Sequence, residues 1–155
     1  MPVLNAIDPT AEQIRDFLSH EKAGEPVFML NLLKFKTAAT YRDSKTNPDN
    51  QVSGETAYYR YASAFGEMMR DKDIGFETVF AGRADSVLIG TAGAADVDAK
   101  DIDVKDWDMV AIARYPDAKT MIECVSSQEY RKIHYHRKAG LEGQLLISCS
   151  NEKVF

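Results

Sequence analysis

The sequence predicts an α+β fold in which an N-terminal helix precedes the order strand, helix, strand, strand, helix, strand. Three observations predict it. Apolar runs or alternations mark the strands, apolar residues three and four positions apart mark the helices, and glycine, proline or capping residues separate the segments. In this order the strands form one antiparallel sheet with both helices on the same face, which is the split βαβ or ferredoxin-like βαββαβ arrangement.

The first 25 residues (1–25) are expected to form a helical arm. Thr10 is placed to cap a helix that ends at His20, and Gln13 occupies the reciprocal position of a capping box. The segment PVFMLNLLKFK at 26–36 follows and is apolar at both sets of alternate positions for most of its length. That pattern is typical of a strand buried on both faces.

The next helix is capped by Ser53 and runs to about Asp71, with apolar residues at helical spacing. Residues 76–81 alternate as a strand. Gly82 is expected to mark a bulge or turn before a short apolar segment at 87–90.

The segment WDMVAIARYP at 107–116 predicts a third strand, and Asp117 caps the helix that follows it. Ser126 and Glu129 have the spacing of a capping box, which predicts a second helical piece. The last strand is expected at 144–150.

Composition predicts one soluble domain spanning 1–155, with 45% hydrophobic and 28% charged residues. The net charge of −5 and the scattered basic residues argue against a nucleic-acid partner. No apolar run approaches the roughly 18 residues of a membrane span, and the start lacks the pattern of a secretory signal. We therefore expect a cytoplasmic protein in which Cys124 and Cys149 are buried thiols.

The first strand also predicts an oligomer. The helices can cover one face of the sheet, yet this strand is apolar on both. A second copy of the chain is the expected cover, so we expect a homodimer whose two sheets close against each other. The two apolar sets are Val27, Met29, Leu33 and Phe35 on one face and Phe28, Leu30 and Leu32 on the other.

Several segments resemble one family, catalogued as domain of unknown function 1330. They are DPTAEQI at 8–14, NLLKF at 31–35, GETAYYRY at 54–61, WDMVAIARYP at 107–116 and EYRKIHYHRKAGL at 129–141. The resemblance covers most of the chain apart from the loops at 37–53 and 91–106. It implies a dimeric α/β barrel. The superfamily of dimeric α/β barrels includes cofactor-free monooxygenases, muconolactone isomerases, haem-dependent proteins and proteins without known activity. The resemblance therefore implies no particular reaction.

The stretch SSQEYRKIHYHRKAG at 126–140 carries two of the three histidines. Residues two apart on a helix point about 200° apart, so His134 and His136 cannot hold one metal ion. The chain has no HExxH motif, and the acidic loop at 91–106 lacks the glycine and closing glutamate of an EF-hand. Neither GxGxxG nor GxxxxGK is present. We therefore expect no metal and no cofactor.

His134 shares a helical stripe with Tyr130 and Arg137, which should face the sheet, whereas His136 lies on the flank and is expected at the surface. His134 is then either a hydrogen-bonded, half-buried residue or an acid/base group in a pocket between helix and sheet. A buried Arg137 favours the second, since it requires an anionic or carbonyl partner. The family resemblance points instead to the pair His136 and Arg137, which keeps His136 as a candidate.

Three further polar residues stand out. Asn31 lies in an apolar strand, where an unpartnered amide would cost roughly 1–3 kcal/mol, so it either bonds to a neighbouring loop or orients a ligand. Arg83 follows the expected bulge at Gly82, where a side chain is often turned toward a cavity. Arg114 shares a strand face with Asp108 but lies about 20 Å from it, so the two cannot pair.

We interpret the chain as a homodimer that binds a small anionic or carbonyl-bearing molecule. If it is an enzyme, cofactor-free oxygenation or isomerisation fits best. The alternative is a non-catalytic dimeric binding or structural module whose polar residues satisfy one another. A pocket that receives Asn31, His134 and an arginine together would separate the two. The catalytic candidate is His134, and the ligand-binding candidates are Asn31, Arg83, Arg114, His136 and Arg137.

Overall fold

The structure, a computed structural model, describes residues 7–22, 24–42, 52–89 and 107–152. Within these ranges the elements in chain order are α1 (Ala11–Ser19), β1 (Val27–Phe35), α2 (Gly54–Lys72), β2 (Glu77–Arg83), β3 (Met109–Tyr115), α3 (Ala118–Val125), α4 (Gln128–Gly140) and β4 (Leu141–Cys149). The acidic loop expected at 91–106 and most of the polar loop after β1 lie outside the described residues.

The strands form one antiparallel sheet in the order β2-β3-β1-β4. β1 is central and pairs with β3 on one side and β4 on the other, so that Asn31 lies opposite Ala111 and Leu146. The predicted α+β, ferredoxin-like fold class is confirmed, including the N-terminal helix.

The core lies between the helices and one face of the sheet. Met29 of β1 packs in a cluster with Phe65 and Met69 of α2, and a second cluster joins Leu33 to Leu141 of β4. Each fully buried side chain of this size contributes about 1.5–3 kcal/mol of hydrophobic stabilisation. Residues of β1 at alternate positions therefore hold the helices on this face.

The predicted caps at Thr10, Ser53 and Asp117 are confirmed, each accepting a hydrogen bond from the third residue of its helix. The predicted cap of the fourth helix is wrong by one residue. Ser126 has helical backbone angles that close α3, while Ser127 is extended and accepts from the backbone of Tyr130. An N-cap residue needs that extended conformation.

One strand boundary and the position of one bulge also differ from the prediction. β4 begins at Leu141, three residues early, because α4 passes directly into it. The register of β2 shifts between Thr78 and Phe80, and Gly82 pairs regularly with Val110. A Cβ on Gly82 would lie 2.8 Å from the exposed ring of Phe80, which would have to turn aside.

The other side of the sheet, which we call the open sheet face, carries apolar side chains, and none of the helices in the described ranges lies above them. By register, its members from β1, β3 and β4 are Phe28, Leu30, Leu32, Val110, Ile112, Leu145, Ile147 and Cys149. Phe80 of β2 joins them and is 54% exposed. Cys124 is buried as expected, but Cys149 is exposed, because it lies on this face.

Helices α2 and α4 cross where two glycines meet. The backbone N–H of Gly54 donates to Lys36, and that of Lys36 donates to Gly140, at 2.9 and 2.8 Å. A Cβ on Gly54 would collide with the carbonyl oxygens of both partners. The crossing therefore fixes the C-terminal half of α4 over the edge of the sheet.

No helix in the described parts of the chain is long and apolar enough to span a membrane.

Candidate functional site

The candidate site lies under the C-terminal half of α4, on the helix-covered side of the sheet. Arg137 is 9% exposed, and its Nη1 lies 3.1 Å from Nε2 of His134. The two residues are three apart in α4, which places them on the same side of the helix. The stripe predicted for His134 and Arg137 matches their positions in the structure.

Arg137 is connected to the sheet through hydrogen bonds. Its Nη2 donates to Oε1 of Gln144 in β4 and to the backbone carbonyl of Ile7. Gln144 in turn donates from Nε2 to Oδ1 of Asn31 at 2.8 Å. We call Asn31, His134, Arg137 and Gln144 the Arg137 cluster.

Asn31 uses its remaining hydrogen-bonding capacity within the sheet. Its Nδ2 donates to the carbonyls of Met29 and Ala111 at 3.1 and 3.3 Å. The expectation that Asn31 bonds to a neighbouring loop is wrong, because its partners are Gln144 and strand carbonyls. The alternative role, orienting a ligand, stays a prediction.

A carboxylate from the N-terminal arm closes the exposed side of the cluster. Oδ1 of Asp8 lies 3.4 Å from Nε2 of His134 and 3.8 Å from Nη1 of Arg137, and Oδ2 lies 3.0 Å from Nζ of Lys138. Partial burial raises the pKa of Asp8, but the hydrogen bond from Lys138 and the three neighbouring positive groups outweigh it and lower the pKa below its usual value. Asp8 is therefore ionised at neutral pH.

His134 also tends to lose its proton, which in a histidine leaves the imidazole neutral. Burial is the largest cause that lowers its pKa, and the charges of Arg137 and Lys138 lower it further, against a raising effect of Asp8. The imidazole is thus mainly neutral near pH 7 and able to accept a proton.

Tyrosines surround the inner side of the cluster. The hydroxyls of Tyr61 in α2 and Tyr130 in α4 lie 3.2 Å apart, and the Tyr130 ring packs 5.1 Å from that of His134. Burial raises the pKa of Tyr58 to about 12, although the charge of Arg137 acts against it. The phenol of Tyr58 therefore stays protonated at neutral pH.

His136 lies outside the cluster, and the expectation that it lies at the surface is wrong. Its side chain is half-buried, with Nδ1 2.7 Å from the hydroxyl of Tyr41. Tyr41 is itself buried, because the segment after β1 folds back so that Thr40 donates to the carbonyl of Ala139. Burial, followed by the charge of Arg60, lowers the pKa of His136.

The remaining two candidates lie apart from the cluster. The Arg83 guanidinium pairs with the carboxylate of Glu55 at the start of α2 and lies outside the cluster, although Arg83 lines a groove of about 520 Å³. Arg114 lies on the open sheet face, where it donates to the carbonyl of Gly75 at 3.3 Å. The structure thus brings together Asn31, His134 and Arg137, and separates Arg83, Arg114 and His136 from them.

Two grooves border the open sheet face. One of about 520 Å³ includes Leu32, Trp107 and Val110 in its lining, and one of about 310 Å³ includes Leu30 and Ile112. Neither is lined by a residue of the Arg137 cluster, whose polar atoms bond to one another. Among the described residues, every buried side-chain nitrogen or oxygen atom has a hydrogen-bonding partner.

No group of three or more His, Cys, Asp or Glu side chains in the described ranges could hold a metal ion. The two histidines of α4 have different partners, as their spacing predicts. His134 faces Asp8 and Arg137, and His136 faces Tyr41.

Asp8, Lys138 and Gln144 are site residues that sequence reasoning missed. Gln144 carried a signal comparable to that of Asn31, because it is polar in a strand of apolar residues. Lys138 follows Arg137 directly in α4 and is exposed, as most lysines are, so its sequence position carried no signal of a role in the site. Asp8 carried no signal, since nothing in the sequence shows that the arm folds back onto α4.

No family model and no curated protein matches this chain. Two solved structures are similar to it over nearly its whole length. The RPA0582 protein of unknown function from Rhodopseudomonas palustris, a structural genomics target, is 28% identical and has a TM-score of 0.75, with 95% of this chain and 97% of that chain covered. The methylated RPA0582 protein is also 28% identical and has a TM-score of 0.76, with 98% of each chain covered.

Proposed function

We propose that this chain binds a small anionic or carbonyl-bearing molecule at the Arg137 cluster. The main support is that the buried guanidinium of Arg137 lies 3.1 Å from the imidazole of His134, whose pKa is lowered. A cation and a neutral base are therefore next to each other. A buried arginine orients carbonyl or carboxylate oxygens through fixed donors. His134 and Arg137 are thus the ligand-facing pair, with Asn31 and Gln144 behind them.

If the protein is an enzyme, this pair suits removal of a proton from carbon next to a carbonyl. Nε2 of His134 would accept the proton, and Arg137 would stabilise the negative charge left on the oxygen. Isomerisation and cofactor-free oxygenation both begin with such a step. His134 is accordingly the catalytic residue of the proposal.

The proposal includes a homodimer formed by two open sheet faces. Its support is the contiguous apolar surface of β1, β3 and β4, from which Leu145 and Ile147 remain 46% and 41% exposed in one chain. A surface of this kind is typical of an interface rather than of a monomer in water. The resemblance to domain of unknown function 1330 agrees with this arrangement, and membership of that family is part of the proposal.

The dimer can be tested with adjacent residues of β4. Leu145→Lys and Ile147→Lys place charges on the open sheet face, whereas Leu146→Lys, at a residue 42% exposed, places the same charge on the other face. Sedimentation at micromolar concentration should show a dimer for the wild type and for Leu146→Lys, and a monomer for the other two. A monomeric wild type would contradict the proposal.

We propose the cytoplasm as the compartment, because Cys124 and Cys149 are free thiols, as is usual for cytoplasmic proteins.

The alternative function is a non-catalytic dimeric binding or structural module. It is favoured by the mutual satisfaction of the cluster, in which Asn31, Gln144, Arg137 and His134 bond in sequence. In that case the polar residues would stabilise the fold and no ligand would be needed.

The two functions are separated by mass spectrometry of small molecules released from the purified protein. We expect wild type to release a small acid or carbonyl compound, and Arg137→Lys and His134→Asn to retain at least tenfold less of it. Arg131→Gln, an exposed arginine of the same helix, should retain it fully. Equal retention by folded variants, or no bound compound in any of them, would favour the structural module.

A further inference from the structure

The N-terminal arm places a carboxylate at the point where the proposed ligand would bind. Asp8 comes from outside α4, yet three side chains of that helix, His134, Arg137 and Lys138, converge on it at 3.0–3.8 Å. Its two oxygens have separate roles, because Oδ1 faces His134 and Arg137 while Oδ2 faces Lys138. A carboxylate with two oxygens therefore fits this position better than a neutral carbonyl with one.

The ion pairs of Asp8 with α4 are weak. Its side chain is 52% exposed, as is that of Lys138, and ion pairs this exposed to water are weak. None of the nine residues of α1, which begins three residues later, is buried. The downstream attachment of the arm includes an exposed hydrogen bond from the backbone of Lys119 to Glu21.

The residue before Asp8 is anchored differently. Ile7 packs against the buried cluster of Leu33, Phe35 and Leu141, and its carbonyl accepts from Arg137. Asp8 can therefore turn outward while Ile7 stays in place. If Asp8 turned outward, the Arg137 guanidinium, the His134 imidazole and the Lys138 ammonium would face the position that the Asp8 carboxylate had left.

We infer that the site takes the carboxylate of a small organic acid where the Asp8 carboxylate now lies, and that Asp8 turns outward when the acid binds. This inference rests on the proposed function and names the ligand class of the same site. Asp8 is then an internal competitor of the ligand. It keeps the positive groups paired when no acid is bound.

Competition has a measurable consequence. A group that occupies a site two thirds of the time weakens the apparent affinity of a competing ligand about threefold. Asp8→Asn keeps the size of the side chain and removes its charge. It should therefore bind small carboxylates about threefold or more tightly than wild type.

The experiment titrates the full-length protein with acetate, pyruvate and benzoate, and with acetamide and benzamide as uncharged counterparts, followed by NMR at pH 7. Asp16→Asn is the matched control, because Asp16 is an exposed acid of α1 whose carboxylate lies 3.9 Å from the imidazole of His20. We expect Asp8→Asn to gain affinity for the carboxylates and not for the amides. Asp16→Asn should behave as wild type, and Arg137→Lys should lose carboxylate binding.

The outcomes separate this inference from the function on which it rests. Equal or weaker carboxylate binding by Asp8→Asn, together with a loss in Arg137→Lys, would overturn the role of Asp8 and leave the binding site intact. Binding of the amides without the carboxylates would overturn the ligand class alone. Failure of every probe with folded wild type and Asp8→Asn would overturn the inference, and absence of a co-purified compound would then overturn the proposed function as well.

Discussion

The glycine at the start of α2 should be among the least replaceable residues of the chain. An alanine Cβ at Gly54 would collide with the carbonyl oxygens of Lys36 and Gly140 and would lie 2.6 Å from the backbone nitrogen of Lys36. All three are backbone atoms, so no side chain can rotate away. The crossing of α2 and α4 would have to widen.

The cost follows from these contacts. Overpacking in a close-packed region costs roughly 1–3 kcal/mol. Widening also weakens the bonds from Gly54 to Lys36 and from Lys36 to Gly140, each worth about 1 kcal/mol. We expect Gly54→Ala to lower the free energy of unfolding by about 3 kcal/mol.

The same substitution elsewhere in α2 should have the opposite effect. Gly66 lies in the interior of the helix, and the nearest atom to an added Cβ is Nη1 of Arg70 at 3.6 Å, an ordinary contact. Alanine is favoured over glycine in a helix interior by about 0.8–1 kcal/mol, so Gly66→Ala should stabilise the protein by up to that amount.

Urea unfolding followed by far-UV circular dichroism measures both effects, at one protein concentration because dimerisation would shift the midpoint. If Gly54→Ala were as stable as wild type, or if both variants shifted in the same direction, the crossing would not be as tightly packed as the structure indicates.

Three further predictions concern the site. The free energy of unfolding should fall as the pH is lowered from about 7.5 to 5.5. The folded protein lowers the pKa values of His134 and His136 below 6.5, so the unfolded chain binds more protons in this range. A pH series of urea melts measures the slope, and His134→Asn should reduce it. Gln144→Leu should lower the free energy of unfolding by about 2 kcal/mol, since Oδ1 of Asn31 loses its donor and Nη2 of Arg137 loses one of its two acceptors. An unchanged stability in thermal and urea melts would mean that water replaces the amide. EDTA should leave the melting temperature unchanged, and a stoichiometric metal in elemental analysis of the purified protein would contradict our expectation of no metal site.

The fold class was predictable because its signals are local. A continuous apolar run identifies a strand such as β1, and a serine or threonine before a helical pattern identifies a helix start such as Ser53. The helix cap was placed wrongly where two neighbouring residues were equally suitable as the N-cap. Ser126 and Ser127 can both cap a helix, and the turn geometry that favours Ser127 depends on where α3 ends.

The candidate site was predictable in part, for a physical reason. His134 and Arg137 belong to one helix, whose periodicity gives their common orientation. Asp8 contacts them across about 130 residues of chain, and that contact depends on tertiary folding. The burial of His136 escaped prediction for the same reason, because Tyr41 belongs to a polar segment with the composition of a surface loop.

The direct passage from α4 into β4 has a consequence for how this chain can change in length. Gly140 ends the helix and Leu141 begins the strand, with no residue between them. One inserted residue would turn the helix by about 100° relative to the strand, or would exchange the two faces of β4. Gln144 would then point away from Arg137, and Ile147 would leave the open sheet face. Insertions and deletions at this junction should therefore be absent from proteins that keep both features, so the seven-position spacing from Arg137 to Gln144 is a simple criterion for recognising relatives that share this site.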